Sequence, residues 1–452
     1  MAPDRGDRPV ASAAVAGTRS IHRRVWGLAL PTVLANLTVP LLGMVDTAVV
    51  GGLGAAEIGG VAIGATVFSF LYWGFAFLRM STTGLAAQAH GARDHDGVRA
   101  ACARSALLAV GFGVFVVIFQ GPLIAAAMAL LGPSGGVEAL ARSYTSIRIW
   151  AAPAVLANMV VLGWLLGLQR AGTALLVQAV INGANVALDF WLAWGLGLGV
   201  TGVAYASLIA QVVGLAVGVA VVIHLARVLG GRWHWARATD LAPIRALLRV
   251  NGDIFVRTLC VIIAVSMFTA QGARMGDLVL AANAILVLFQ TLLSHGLDGF
   301  AHAAEALVGE ALGARDRHGL RQAVKASTWA ALAVAAGFSL VYAMLGVGVV
   351  ALITDLPAVQ AATHPYLPWL VLSPWLSVWS FQLDGVFIGA TRSRDMRNAM
   401  LWSFAVYVVT LWPLVAAWGN HGLWLAFMLF MIARAVTLAI YYPALERAAA
   451  AR

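Results

Sequence analysis

The sequence predicts an all-α membrane protein of twelve transmembrane helices arranged as two parallel six-helix lobes. Three observations carry that prediction. Of the 452 residues, 61% are apolar and only 11% charged, and the mean hydropathy is +0.87, whereas soluble domains carry about 25% charge. Apolar stretches recur along the whole chain, each of about 20 residues and so long enough to cross a hydrocarbon core of roughly 30 Å. A shift of 222 residues also brings one half of the chain into register with the other.

In chain order the expected spans are 25–50, 58–83, 102–130, 144–167, 174–198, 201–228, 247–271, 279–304, 326–353, 364–390, 398–418 and 422–445. Each is a helix, because backbone polar groups in lipid must bond within the structure and the weak alternation of barrel strands is absent. The net charge of +10 raises nucleic-acid binding as an alternative, and the placement of the basic residues excludes it. They fill alternate loops: Arg93, Arg99 and Arg104 after the second span, Arg170 after the fourth, Arg227 to Arg249 after the sixth, Arg315 to Lys325 after the eighth, and Arg392 to Arg397 after the tenth. Only Arg142 and Arg274 occupy the opposite loops. The positive-inside rule then puts both termini in the cytoplasm of a multi-pass protein of the cytoplasmic membrane. Arg23 and Arg24 anchor the first helix; the tail before Val25 lacks the apolar core of a secretory signal. Cys102 and Cys260 are too few and too far apart for a metal site or a disulfide framework.

The repeat is clearest in two loops. Residues 89–101 read AHGARDHDGVRAA and 311–323 read ALGARDRHGLRQA, with eight of thirteen positions identical at the 222-residue shift. The same shift pairs Gly54 with Gly276, Ala62-Ile63 with Ala284-Ile285, and Gly167 and Arg170 with Gly389 and Arg392. Six spans per repeat is an even number, so the halves share one orientation, as in transporters that rock two lobes about a midplane site. The expected organisation is a tail (1–24), an N-terminal lobe (25–228), a linker (229–246), a C-terminal lobe (247–445) and a second tail (446–452). The GARD segments have no P-loop or adjacent strand and are read as capped cytoplasmic turns.

Function is sought in the polar residues of the spans. Asp46 lies in the first span, where a charge near the membrane centre costs about 2.5 to 3.5 kcal/mol and so marks an ion or substrate path. Asn182, Asn185 and Asp189 follow at spacings of three and four on one face of the fifth helix. Both helices run outward, so Asp46 and Asp189 are expected at similar depth in one lobe. Burial and a second carboxylate both disfavour the ionised form of an acid, which makes proton uptake near neutral pH available to such a pair. The alternative is that these groups only hold helices together by hydrogen bonds. At the shifted positions stand Phe268 and Leu411, so the other half kept neither acid. Pro31, Asn36, Met44, Asn158 and Asn182 are the expected cavity and gating residues, the proline through its missing backbone donor. Opposite charges on the inner halves of spans two, eight and ten, namely Arg79, Asp298, Glu305 and Asp384, are candidates for a cytoplasmic gate between the lobes. Asp253 and Arg257, four apart, are expected to pair with each other.

The motifs LALPTVLANLTVPLLGMVDTAVVGGLG, LRMSTTGLAAQAHGARD, NGDIFVRTLC, AQGARMGD, LDGFAHAAEALVG and QLDGVFIGATRSRDMRN, with Asn182, Asn185 and Asp189 in the fifth span, resemble the multidrug and toxin extrusion (MATE) family, and within it the DinF-type branch. The resemblance covers residues 20–445. It implies a V-shaped exporter of two six-helix lobes, with Asp46 as the first-helix acid, Pro31 as the bending proline, and Asn185 and Asp189 as the fifth-helix pair. The acidic pair that the NorM-type branch uses for sodium is not clearly matched, since Asp253 and Asp384 lie toward the cytoplasmic ends of their helices.

The expectation is therefore a secondary active multidrug exporter; an enzyme would need a nucleophile and base pair or a metal cluster, and the sequence offers neither. It expels amphipathic, often cationic compounds against inward H⁺, has no cofactor beyond the coupling ion, binds no nucleic acid and acts as a monomer in the bilayer. The alternatives are Na⁺ coupling, or flipping of lipid-linked metabolites. A flippase would need a cationic cavity, whereas Arg79, Arg148, Arg257 and Arg434 are scattered in sequence. A membrane-embedded enzyme built on His295 and His302 lacks a further ligand, and a channel lacks a filter sequence.

Overall fold

The computed structural model describes the backbone of residues 10–52 and 54–451 and the side chains of 20–449, except 39–42, 44, 47 and 53. The N-terminal lobe contains α1 (Val10–Gly51), α2 (Ala55–Gly74), α3 (Phe77–Gly91), α4 (His95–Ile118), α5 (Gln120–Leu131), α6 (Gly135–Arg148), α7 (Ala152–Gly167), α8 (Ala171–Asp189) and α9 (Gly199–Leu229). A short α10 (Trp235–Thr239) lies in the connection. The C-terminal lobe contains α11 (Leu241–Arg274), α12 (Asp277–Gly313), α13 (Arg317–Ile353), α14 (Pro357–Thr363), α15 (Leu367–Gly389) and α16 (Ser393–Ala451). At Gly419, φ 55° and ψ −129° fold α16 back on itself, so it supplies two spans. With α2–α3 and α6–α7 each serving as one broken span, the lobes carry six spans apiece.

Several boundaries differ from the expected ones. Helix α1 starts well before residue 25 and runs unbroken through Pro31 and Pro40. The second span reaches Gly91 and breaks at Phe75 and Ala76. The third stops at Ile118, and a separate α5 follows with Gly121 and Pro122 in its first turn, where proline's missing N–H prevents a continuous ladder. The linker is a docked strap: Asp96 accepts the Arg232 N–H at 2.7 Å and faces His234 Nε2 at 3.3 Å.

The 222-residue repeat is physical, position by position. Arg93 and Arg315 take the same left-handed turn (φ 56° and 57°), and Asp94 and Asp316 each cap the next helix by accepting a backbone N–H at 2.8 Å. Gly163 and Gly167 of α7 let its backbone rest on Arg79 and Thr83 of α3; Gly385 and Gly389 of α15 rest in the same way on Ala301 and Glu305 of α12. These are the close approaches that small residues permit between membrane helices.

The two lobes meet at the end that carries the termini, where α3 crosses α12. A Cβ on Gly91 would strike the Glu310 carbonyl, and one on Gly313 would strike the Gln88 carbonyl. Both pairs obey the 222-residue shift, so this crossing lies on the pseudo-twofold axis. Gln88 Nε2 then reaches across to Gly389 O at 2.9 Å and Thr391 Oγ1 at 3.1 Å, and Arg24 bonds Glu310.

Gly91→Val and Gly313→Val are each expected to pry this end open, since overpacking a filled contact costs about 1–3 kcal/mol. The measurement is labelling of Gln88→Cys by a membrane-impermeant thiol reagent: both valines should raise it. Gly172→Val, where a Cβ meets nothing within 4 Å, should not.

Candidate functional site

The N-lobe site is built on α1 and α8. Asp46 is 5% exposed and Asp189 fully buried, and their carboxyl groups lie within hydrogen-bonding reach of each other. Among the described residues no donor meets either Asp189 oxygen or Asp46 Oδ1. An ionised carboxylate only accepts, so a bond between two such groups needs a proton on one of them. Directly after Asp189 the helix widens into a π-helical turn (Phe190–Gly195), a distortion common at functional sites. Trp194 Nε1 ties that turn to α1 by donating to Val49 O at 2.8 Å.

The other expected residues fall around the pair with different duties. Asn185 is 1% exposed and reaches Ser207 Oγ of α9 at 3.4 Å. Asn182 donates to Thr38 Oγ1 of α1 at 2.6 Å and accepts from Gln178 at 2.9 Å, so it clamps α8 to α1. Asn158 donates to Gln211 O and Oε1, both at 3.0 Å, joining α7 to α9. Pro31 and Asn36 are partly buried on α1 below the acids. The side chain of Met44 lies outside the described residues. Arg148 is a member that spacing does not single out: its guanidinium covers the Phe68 ring at 5.0 Å and the Tyr144 ring at 5.5 Å, and bonds the Tyr144 hydroxyl.

The second site is a cavity of about 400 Å³ in the C-terminal lobe, where α3 of the other lobe contributes Arg79. One end is apolar and aromatic, with Phe268, Trp424, Phe427 and Met431; the other carries Asp298, His295 and three arginines. Arg79 pairs across the lobes with Glu305, Nη1 to Oε2 at 3.1 Å, while Glu305 is 1% exposed. Asp384 pairs within its own lobe: Arg257 bonds it, and Arg434 Nη2 donates to Oδ2 at 2.6 Å. Asp298 lines the cavity without an ion pair within 4 Å among the described residues.

Two sequence expectations need correction. Arg257 does not pair with Asp253, because Asp253 is taken by Arg397 Nη1 at 2.6 Å and Ser393 Oγ at 3.0 Å, while the longer Arg257 side chain reaches Asp384 of α15. The embedded arginines are not scattered either: Arg79, Arg257 and Arg434 line one cavity. Their charges are met by Glu305 and Asp384, so the cavity is not the bare cationic one a flippase would need. The signal for Arg434 was present as a charge in an apolar span; its partner, fifty residues away, was not.

Two pseudo-symmetric six-helix lobes, sealed at one end and holding buried acids and a mixed apolar and charged cavity, make the architecture of a secondary transporter. The MatE family model matches residues 31–191 and 254–414, one copy in each lobe, and the chain belongs to this family of multidrug and toxin extrusion transporters. It is a transporter and not an enzyme. It is 42% identical over 422 residues to DNA damage-inducible protein F of Escherichia coli (strain K12), covering 93% of this chain and 92% of that protein. It is 27% identical to a probable multidrug resistance protein NorM of Rhizobium meliloti, covering 91% of each. Among solved structures it resembles a MATE in the bent conformation (TM-score 0.85, 21% identity, 96% and 99% covered) and the outward-facing conformation of a multidrug resistance MATE family transporter (TM-score 0.83, 21% identity, 94% and 97% covered).

Removing one member of a buried charge cluster strands the others at a cost of about 3–5 kcal/mol. Asp384→Asn is therefore expected to lower stability by about that much in thermal unfolding of the purified protein. Adding Arg434→Met, which removes one stranded charge beside Phe430, should recover part of the loss.

Proposed function

We propose that the protein is a secondary active exporter that expels amphipathic, cationic compounds across the cytoplasmic membrane in exchange for inward H⁺, with Asp46 and Asp189 as the coupling pair and Asn185 as their support. The observation that carries the reading is the pair itself: the two buried carboxyl groups lie within hydrogen-bonding reach, and among the described residues no donor meets Asp46 Oδ1 or either Asp189 oxygen, so a shared proton is what lets them coexist. Losing that proton leaves uncompensated charge in the lobe, and this changes the relative energy of its conformations. The resident ion is thus H⁺, with no other cofactor, and the working unit is a monomer in the bilayer.

The C-lobe cavity suits the substrate. Its volume falls within the range of about 300–1,000 Å³ usual for small-molecule sites, its aromatic end accepts an apolar body, and Asp298 is free to meet a cationic head. With cytoplasmic termini, as the basic loops indicate, the sealed end faces the cytoplasm and the protein is outward-facing. Arg79–Glu305 then acts as a cytoplasmic gate, since this ion pair must break when the lobes part there. Asp384 contributes by holding Arg257 and Arg434 in the wall rather than by bridging the lobes.

Asp46→Asn should abolish export driven by a pH gradient, measured as efflux of a fluorescent amphipathic cation such as ethidium from proteoliposomes, with a loss of at least about tenfold. Since removing the coupling charge raises the barrier to exchange rather than to binding, ethidium affinity should change little. Undiminished gradient-driven efflux would refute the coupling role.

A further inference from the structure

The strongest unexplained group in the membrane interior is Arg148. Of the four embedded arginines, Arg79, Arg257 and Arg434 each have a carboxylate within ion-pair distance. Arg148 has none among the described residues; it is held by Tyr144 and two ring faces, beside the acid pair and within its electrostatic field. A half-buried guanidinium parked on aromatics next to two carboxyl groups within the membrane is costly unless the arrangement changes during the cycle.

The repeat shows that this is no feature of the scaffold. At the 222-residue shift, Asp46, Arg148, Asn185 and Asp189 correspond to Phe268, Leu370, Tyr407 and Leu411, and all four of these belong to one continuous apolar core in the C-terminal lobe. The fold thus packs without a carboxyl, amide or guanidinium group at these positions. The N-terminal lobe differs from the C-terminal lobe at all four positions, the arginine together with the acids.

We propose that Arg148 is the built-in counter-charge of the Asp46–Asp189 pair: it leaves Tyr144 for the carboxylates when they give up their proton, and its charge keeps metal cations out of the site. The inference rests on the coupling role given above to that pair. With one shared proton and one guanidinium, the two acids are balanced. When the proton leaves for the open side of the cavity, the remaining negative charge attracts the guanidinium, whose other bond is to a neutral hydroxyl. The groups that face the pair from its neighbours are Arg148 and Tyr144 of α6, with Tyr72 of α2 beside Arg148; α9 brings the neutral Ser207 through Asn185. Sodium would have to enter beside a fixed positive charge, whereas a proton binds covalently to an oxygen already present.

The test is infrared titration of the full-length protein in lipid, following the protonated carboxyl band that vanishes in Asp46→Asn/Asp189→Asn. Arg148→Gln should raise the midpoint of that band by about one pH unit, a tenfold gain in proton affinity, because a stabilising positive charge is lost. Tyr144→Phe should lower it, because the guanidinium is released toward the acids, and Arg148→Lys should stay near the wild-type value. Excess sodium chloride in place of choline chloride should leave the wild-type band intact. An unmoved midpoint in Arg148→Gln, an upward shift in Tyr144→Phe, or loss of the wild-type band in sodium overturns the proposal. If Arg148→Gln does not fold, Tyr144→Phe and Arg148→Lys still decide it. Absence of any pair-dependent band in the wild type would instead remove the coupling role itself.

Discussion

A charge inside the hydrocarbon layer must be neutralised where it stands, and this constraint organises the interior of the molecule. Three solutions appear. Asp384 is met by two guanidiniums within one lobe, Glu305 by a guanidinium from the other lobe, and Asp46 lies beside a second acid with which, in the proposed cycle, it shares a proton. Only the last solution uses something that can leave. The first two fix the cavity wall and hold the lobes together, and under the proposed function the third changes its charge state in place.

The two lobes descend from one plan and differ where they work. Glycines repeated at the same interval set identical helix crossings in both, and the reciprocal contacts of Gly91 and Gly313 join them on the axis. The polar groups break that symmetry in both directions. The N-lobe acids face positions that are core in the C-lobe, while Arg257, Asp298, Asp384 and Arg434 correspond to Ala35, Ala76, Leu162 and Val212. Each lobe thus carries its polar site at positions that hold apolar side chains or a tyrosine in the other. A common scaffold tolerates this because its crossings depend on backbone approach at glycines and not on the exchanged side chains.

Much of the fold and part of the site were legible in the sequence. Span count, lobe pairing and the capped GARD turns follow from hydropathy, repeat and local turn chemistry, all short-range or periodic signals. Asp46, Asn185 and Asp189 stood out because acids and amides in apolar helices are costly. The partners did not stand out. Asp253 bonds Arg397 and Arg257 bonds Asp384, across 144 and 127 residues, and the spacing of four between Asp253 and Arg257 pointed to the wrong pair because helical neighbours compete with any third helix that packs against them.

The sequence by itself determined the twelve spans, their division into two like-oriented lobes and the identity of the costly acids, because each is a property of local composition or of an internal period. Tertiary structure alone decided which charges meet: the cross-lobe Arg79–Glu305 pair, the clustering of three arginines at one cavity and the isolation of Arg148 beside the acid pair. Ion pairing in a helical bundle depends on the rotation and depth of each helix, and these are set by packing at glycine crossings distributed over the whole chain.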